Sequence, residues 1–185
     1  MKNIHRYLSG KKAIRSISDG IDLGMAEKLV AGLTGSARSL LVSVINEAMS
    51  KPILLVTHQL SQAQQLYDDL LELTQDVYLY PVNELIGAEI AISSPELRSQ
   101  RIEALSNWQR AKKGILIAPV QALRRFLPPS DYWEKYQLTF QVGEEINLEE
   151  TLKMLVHMGY ESASMVTKPG EFSRRGGIID IYPLT

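Results

Sequence analysis

The sequence contains no cysteine and no long apolar segment. Without cysteine, disulfide bonds and thiolate-bound zinc are excluded. His5, His58 and His157 share no metal-ligand spacing, so we expect them in packing or solvent-exposed positions. No window is apolar enough to span a membrane, and no apolar signal-peptide core follows the basic N-terminal residues. These absences predict a cytoplasmic protein.

The chain also lacks an excess of charge of either sign. Twenty Lys and Arg residues stand against 21 Asp and Glu residues, which gives a net charge of −1. No general attraction to nucleic acid or to an anionic membrane follows from this balance. With 45% hydrophobic and 22% charged residues among 185, the composition is that of an ordinary globular protein. The length suits one domain, or one domain and part of another.

Apolar runs and helical periodicity alternate along the first two thirds of the chain. Strands are predicted at Glu27–Gly32, Pro52–Thr57, Val77–Pro81 and Gly114–Pro119, and helices at Ser36–Ser50, Gln59–Leu73, Ser94–Lys112 and Val120–Phe126. Alternation of this kind predicts an α/β fold with a doubly wound, mostly parallel sheet. The continuous apolar run Pro52–Thr57 is typical of a strand that is buried on both faces.

A phosphate-binding loop with altered residues lies in this region. Residues Gly32 to Ser39 have the length of a G-x-x-x-x-G-K-[ST] loop, with Gly35 inside it. Ala37 replaces the second glycine and Arg38 replaces the lysine, so the close approach of the backbone and the compact charge are both lost. The loop therefore predicts a degenerate P-loop NTPase-like scaffold that binds no nucleotide cofactor, with Arg38 paired to a nearby acid or carbonyl.

The last third of the chain has a different pattern. A linker is expected at 127–135, where two prolines stand together, and a small α+β domain at 136–185. Before them we place a lead-in at 1–29 and the doubly wound domain at 30–126. The predicted elements of the small domain are strands at Tyr136–Val142, Ser164–Lys168 and Ile178–Tyr182, and a helix between Asn147 as its N-cap and Gly159 as its C-terminal cap. We expect the sequence to be cut within a larger protein.

The segment Lys168–Pro183 predicts a β-hairpin. Gly176 and Gly177 form the turn, and the residues after them alternate in polarity as in a half-buried strand. Taken alone, Arg174 and Arg175 are explained as solvated residues beside the turn. The motif P-G-E-F-x-x-R-G-G-I-I-D-I-Y-P, however, closely resembles the signature shared by the repair protein UvrB and the bacterial transcription-repair coupling factor, Mfd.

The resemblance extends from about Val30 to Pro183, and two departures favour the coupling factor over UvrB. The nucleotide loop is spoiled at Ala37 and Arg38, and the stretch Val82–Ser93 contains no aromatic residue where UvrB carries its damage-probing hairpin. The chain is thus similar to the UvrB-homology module at the N-terminus of the coupling factor. That module resembles UvrB in fold but has lost ATP hydrolysis and damage probing.

What the resemblance implies is a docking role and no enzymatic activity in this segment. In this family the small domain binds the damage-recognition ATPase UvrA, and the arginine directly before the Gly-Gly turn takes part; here it is Arg175. Arg174 and Glu171 are nearby candidates. Contacts with RNA polymerase and DNA, and the use of ATP and magnesium, belong to other parts of the coupling factor.

Two other functions are left open by the residues. One is a P-loop ATPase of UvrB type, against which stand Ala37, Arg38 and the absence of an acidic pair after Ile115–Ala118. The other is direct DNA binding, which the near-neutral charge and the missing aromatic hairpin reduce to a minor or nonspecific activity.

Overall fold

A computed structural model describes residues 2–49, 51–82, 95–124, 127, 129 and 135–184. Ser94, with which the predicted helix Ser94–Lys112 begins, most of the linker 127–135 and most of Val82–Ser93 lie outside these residues. The chain divides into two compact units, one of residues 1–84 and 104–123, the other of residues 85–103 and 124–185. The predicted domain boundaries stay predictions.

The helices and strands follow one another in an α/β order. In the first half they are α1 (Lys2–Ser9), α2 (Lys12–Asp22), α3 (Ala37–Ala48), β1 (Pro52–Thr57), α4 (Leu60–Leu71), β2 (Val77–Leu79), α5 (Pro95–Ala111), β3 (Gly114–Pro119) and a 3₁₀ helix (Val120–Arg124). In the second half they are α6 (Leu148–His157), β4 (Glu161–Ser162), β5 (Glu171–Arg175) and β6 (Ile178–Ile181).

The first unit is built on a three-stranded parallel sheet in the order β1-β3-β2. Ile115 and Ile117 of β3 are fully buried on one face against Ala63 and Leu70 of α4. On the other face, Leu116 of β3 packs in a second cluster, with Tyr80, Ala104 and Ala118. The central strand is therefore buried on both faces, as parallel strands require, and the predicted α/β class is confirmed.

Two details of the predicted sheet are wrong. Residues 27–32 pair with no strand in the described part of the chain, and their backbone is irregular. Pro52–Thr57 is a strand, but it lies at the edge of the sheet, where Leu54 and Val56 are each 45% exposed. A strand needs a neighbour to satisfy its backbone groups, and no described strand lies beside residues 27–32.

The second unit contains a small mixed sheet in the order β4-β5-β6. β4 pairs with β5 in parallel, and β5 pairs with β6 as an antiparallel hairpin. Helix α6 begins as predicted, because the Asn147 side chain accepts hydrogen bonds from the backbone N–H groups of Glu149 and Glu150. It ends as predicted at Gly159, whose φ is +85°.

Two predicted strands of this unit are wrong. Residues 136–142 form no strand, and Val142 lies fully exposed before a turn at Gly143, whose φ is +93°. Residues 164–168 are irregular, and the strand beside β5 on the side away from β6 is β4 instead. Here side chains of β5 bind the backbone of the loop, and such bonds compete with strand pairing.

Candidate functional site

The hairpin of β5 and β6 holds the residues that the sequence motif singled out. Arg175 pairs directly with Ile178, so only Gly176 and Gly177 form the turn. Gly176 has a φ of +63°, a left-handed conformation that side chains with a Cβ rarely adopt. At the other end, the N–H of Gly170 donates to the carbonyl of Tyr182 at 2.9 Å. The predicted hairpin is therefore formed, with both of its ends fixed by backbone geometry.

Arg175 stands beside the turn with 71% of its side chain exposed. Its Nη2 atom donates to the Oδ2 atom of Asp180 on the opposite strand. An ion pair this exposed contributes little to stability, about 0–1 kcal/mol. In the structure it orients the guanidinium along the strand towards Asp180, and the other donors of the guanidinium bond to none of the described residues.

Arg174 lies on the other face of β5, because neighbouring residues of a strand point to opposite sides. Its Nη1 atom lies 2.8 Å from Oε1 of Glu149, in the first turn of α6, and its Nε donates to the carbonyl of Gly176 at 3.2 Å. Arg174 therefore links the helix, the strand and the turn. The two candidate arginines are not brought together on one surface.

Glu171 is nearly buried, at 9% exposure. Its Oε2 atom accepts hydrogen bonds from the backbone N–H of Thr167 at 2.8 Å, from the Thr167 hydroxyl at 3.1 Å and from the N–H of Lys168 at 3.1 Å. The hydrogen bond from the Thr167 N–H is the largest of the causes that lower the pKa of this carboxyl, although burial opposes them. The arrangement makes Glu171 a brace for the loop 164–170.

A row of side chains on β6 completes the exposed surface around Arg175, and the sequence reasoning missed it. Ile178 is 63% exposed, Tyr182 is 45% exposed, and Asp180 lies between them on the same face. The signal was present in the alternation of the motif, which places every second residue on one face. What the motif does not tell is which face loop 164–170 covers.

The loop Gly32–Ser39, unlike the β5–β6 hairpin, leads into a helix. Gly32 and Gly35 have φ values of +81° and +54°, and α3 begins at Ala37. Ser39 is fully buried and donates its hydroxyl hydrogen to Oδ2 of Asp69 at 3.0 Å. In an intact loop this hydroxyl would contact magnesium. The Arg38 side chain is exposed and makes no hydrogen bond or ion pair with the described residues, so its predicted pairing with an acid or carbonyl stays a prediction.

His5 of α1 is buried and bonds to side chains of α3. Its Nδ1 lies 2.5 Å from Oε2 of Glu47 and its Nε2 lies 3.1 Å from the Ser43 hydroxyl, both on α3. These contacts attach α1 to α3. Within the described ranges, no three His, Asp or Glu side chains are grouped so that they could hold a metal ion. No described helix is both long and apolar enough to span a membrane.

Comparison with known proteins bears directly on this hairpin. A model of the UvrB interaction domain family matches residues 138–185, which include β4, β5 and β6. The whole chain aligns over 187 residues, at 49% identity, with the transcription-repair-coupling factor of Bacillus subtilis (strain 168). This chain is a relative of the transcription-repair-coupling factors. The resemblance predicted from the hairpin motif is confirmed.

The chain is also similar to coupling factors of two Staphylococcus species. The protein of Staphylococcus aureus (strain USA300) is 40% identical over 163 residues, which cover 87% of this chain. That of Staphylococcus haemolyticus (strain JCSC1435) is 39% identical over 183 residues, or 98% of the chain. The chain spans only 14% to 16% of the length of these coupling factors. It corresponds to one segment of them, and the segment includes an interaction domain.

Proposed function

We propose that this chain is a docking module of transcription-coupled DNA repair, which binds UvrA in the cytoplasm through the β5–β6 hairpin. The UvrB interaction domain match at residues 138–185 and the coupling-factor identity along the whole chain support this function. The observation that carries it is the position of Arg175, exposed at the end of a hairpin whose backbone is fixed on both sides of the turn.

The chemistry of Arg175 suits a protein contact. Arginine is enriched among the residues that dominate binding energy, and its guanidinium can bind a carboxylate through two hydrogen bonds. Because the strand pair is already ordered, little backbone entropy remains to be lost on binding. We propose Arg175 as the direct contact, Arg174 as a separate contact on the opposite face of β5, and Glu171 as the residue that shapes the loop 164–170.

We propose no catalytic activity and no nucleotide or metal cofactor for this chain. The replacements at Ala37 and Arg38 remove the lysine and the glycine that phosphate binding requires, and the Ser39 hydroxyl is occupied by Asp69. In this proposal, recruitment of UvrA to stalled RNA polymerase depends on the rest of a full coupling factor for polymerase binding, ATP hydrolysis and movement along DNA.

Substitution of Arg175 by alanine tests the proposed contact. We expect the variant to bind purified UvrA more weakly by about 2 kcal/mol, as for an interface hot spot. Its free energy of unfolding should change by less than about 1 kcal/mol, since only an exposed ion pair is lost. Surface plasmon resonance measures the first quantity, and urea denaturation followed by circular dichroism measures the second.

A matched control is Arg38→Ala, which removes one exposed arginine from the first unit and should leave UvrA binding unchanged. An equal loss of UvrA affinity in both variants would show a general effect of charge and no specific contact at Arg175. Unchanged binding by Arg175→Ala would contradict the proposed function of the hairpin.

A further inference from the structure

One face of the hairpin is covered on β5 and open on β6. Glu171 and Ser173 are 9% and 3% exposed, and both bind the loop, Ser173 through a 3.2 Å hydrogen bond from its hydroxyl to the carbonyl of Ser164. On the same face, Ile178 of the neighbouring strand β6 and Tyr182, directly after that strand, are 63% and 45% exposed. We define the β6 row as Ile178, Asp180 and Tyr182.

Arg175 continues this row across the turn. It lies opposite Ile178 in the register, and its Nη2 atom reaches diagonally to Asp180. A guanidinium carries five N–H donors, and the pair with Asp180 leaves those on Nε and Nη1 without a bond in the described part of the chain. Asp180 therefore fixes the direction of the fork and leaves enough donors to bind a second carboxylate.

The side chains beside this ion pair supply the apolar part of a contact. Ile178 adjoins the turn, and Tyr182 lies at the other end of the row, so the charged pair is flanked by apolar side chains on the same strand. Interfaces commonly place aromatic residues and arginine in the part that loses its water, where apolar burial provides most of the stabilisation. A surface with one arginine fork and two apolar neighbours fits a partner that presents a carboxylate bordered by apolar side chains.

We propose that the β6 row and Arg175 form one continuous contact surface for UvrA. In this surface Ile178 and Tyr182 are buried against apolar side chains of UvrA, and Asp180 is a positioning residue that directs Arg175 towards a UvrA carboxylate. The inference rests on the proposed function, because it assumes that Arg175 contacts UvrA. It extends the contact to three residues of the hairpin motif for which the sequence analysis named no role in binding.

The apolar half of the surface is tested with Ile178→Ser and Tyr182→Ser, measured against purified UvrA by surface plasmon resonance. Each variant should weaken binding by about tenfold, the loss expected when a buried apolar contact is removed. Val142→Ser is the matched control, because Val142 is a fully exposed apolar residue of the same unit outside the hairpin. It should bind within about twofold of the unchanged chain, and all variants should keep its melting temperature.

The positioning role is tested with a double-mutant cycle. Asp180→Asn removes the charge that directs the fork, and it should weaken binding by about threefold when Arg175 is present. It should have no effect in the Arg175→Ala background, because the group that it positions is then absent. Asp180→Glu, which keeps a carboxylate, should restore most of the affinity.

The outcomes separate this inference from the function on which it rests. Weaker binding by Arg175→Ala together with unchanged binding by Ile178→Ser and Tyr182→Ser would overturn the surface and leave the arginine contact in place. Equal effects of Asp180→Asn with and without Arg175 would overturn the positioning role. No UvrA binding by the unchanged chain would overturn both proposals. Self-association that Ile178→Ser abolishes, seen by sedimentation, would assign the row to a second copy of the chain.

Discussion

The two glycine-containing motifs of this chain, the loop Gly32–Ser39 and the turn Gly176–Gly177, differ in what supports them. The turn joins two strands that pair residue by residue from its first position, Arg175 with Ile178. The loop precedes a helix, but residues 27–32 before it pair with no described strand. A paired strand on each side makes the hairpin a rigid platform for an exposed side chain. Among the described residues, the loop is supported on one side by α3, and the Ser39 hydroxyl at its end donates a hydrogen bond to Asp69 of α4.

The largest change in the free energy of unfolding is expected in the sheet of the first unit, and a much smaller one in the loop Gly32–Ser39. Ile117→Ala removes a fully buried side chain that packs against Ala63 and Leu70, and it should lower the free energy of unfolding by about 2–5 kcal/mol. Arg38→Ala, in the exposed part of the loop, should change it by less than about 0.5 kcal/mol. Urea denaturation followed by circular dichroism measures both. Similar losses in the two variants would mean that the loop is as important for stability as the sheet.

A smaller effect is expected within the turn itself. Gly176→Ala should lower the free energy of unfolding by about 1 kcal/mol, because an alanine at φ +63° is strained. Gly177→Ala is the matched control, since a Cβ at either glycine meets no atom within 4 Å and only Gly176 has a left-handed φ. The control should cost clearly less. Equal costs at the two glycines would show that the turn has a different conformation in solution.

The loop behind the hairpin should respond to acid through Glu171. The pKa of this carboxyl is lowered in the folded chain, so its stabilising contribution is fully present above the ordinary value of 4.5. It is lost as the pH falls below that value and through the folded pKa. Glu171→Gln should flatten this part of the pH dependence of unfolding. Glu144→Gln, at an exposed glutamate of the same unit, should leave it unchanged; an equally steep acid transition in Glu171→Gln would contradict the prediction.

The last prediction is that the loop Gly32–Ser39 shows no nucleotide binding. The unchanged chain should give no heat of binding with Mg-ATP in calorimetry, because Ala37 and Arg38 replace the residues that approach and neutralise phosphate. The double substitution Ala37→Gly and Arg38→Lys restores both residue types. It does not supply a paired strand before the loop, since residues 27–32 remain unpaired. We expect it to remain without micromolar binding. Binding by the restored loop would show that the two residues alone abolished the site.

The hairpin could be predicted because its partners are close in sequence. Only two residues separate the paired positions Arg175 and Ile178, and the alternation of the following residues sets the face of each. The Asn147 cap and the turn at Gly159 were likewise predictable, because each depends on bonds within a few residues. Arg175 could be named from the motif because its place before the turn is local. Its exposure and its partner Asp180 could not be predicted, because both depend on how the two strands and the loop pack.

The sequence by itself determined the α/β class, the hairpin and the family, since these depend on local periodicity, turn chemistry and a specific motif. Tertiary structure alone decided which segments became strands. Glu27–Gly32 has the composition of a strand but no described partner, and Glu161–Ser162 is a strand because β5 lies beside it. It also decided that Glu171 braces a loop while Ile178 and Tyr182 face solvent. Strand pairing and exposure depend on neighbours distant in the chain, and composition does not specify those neighbours.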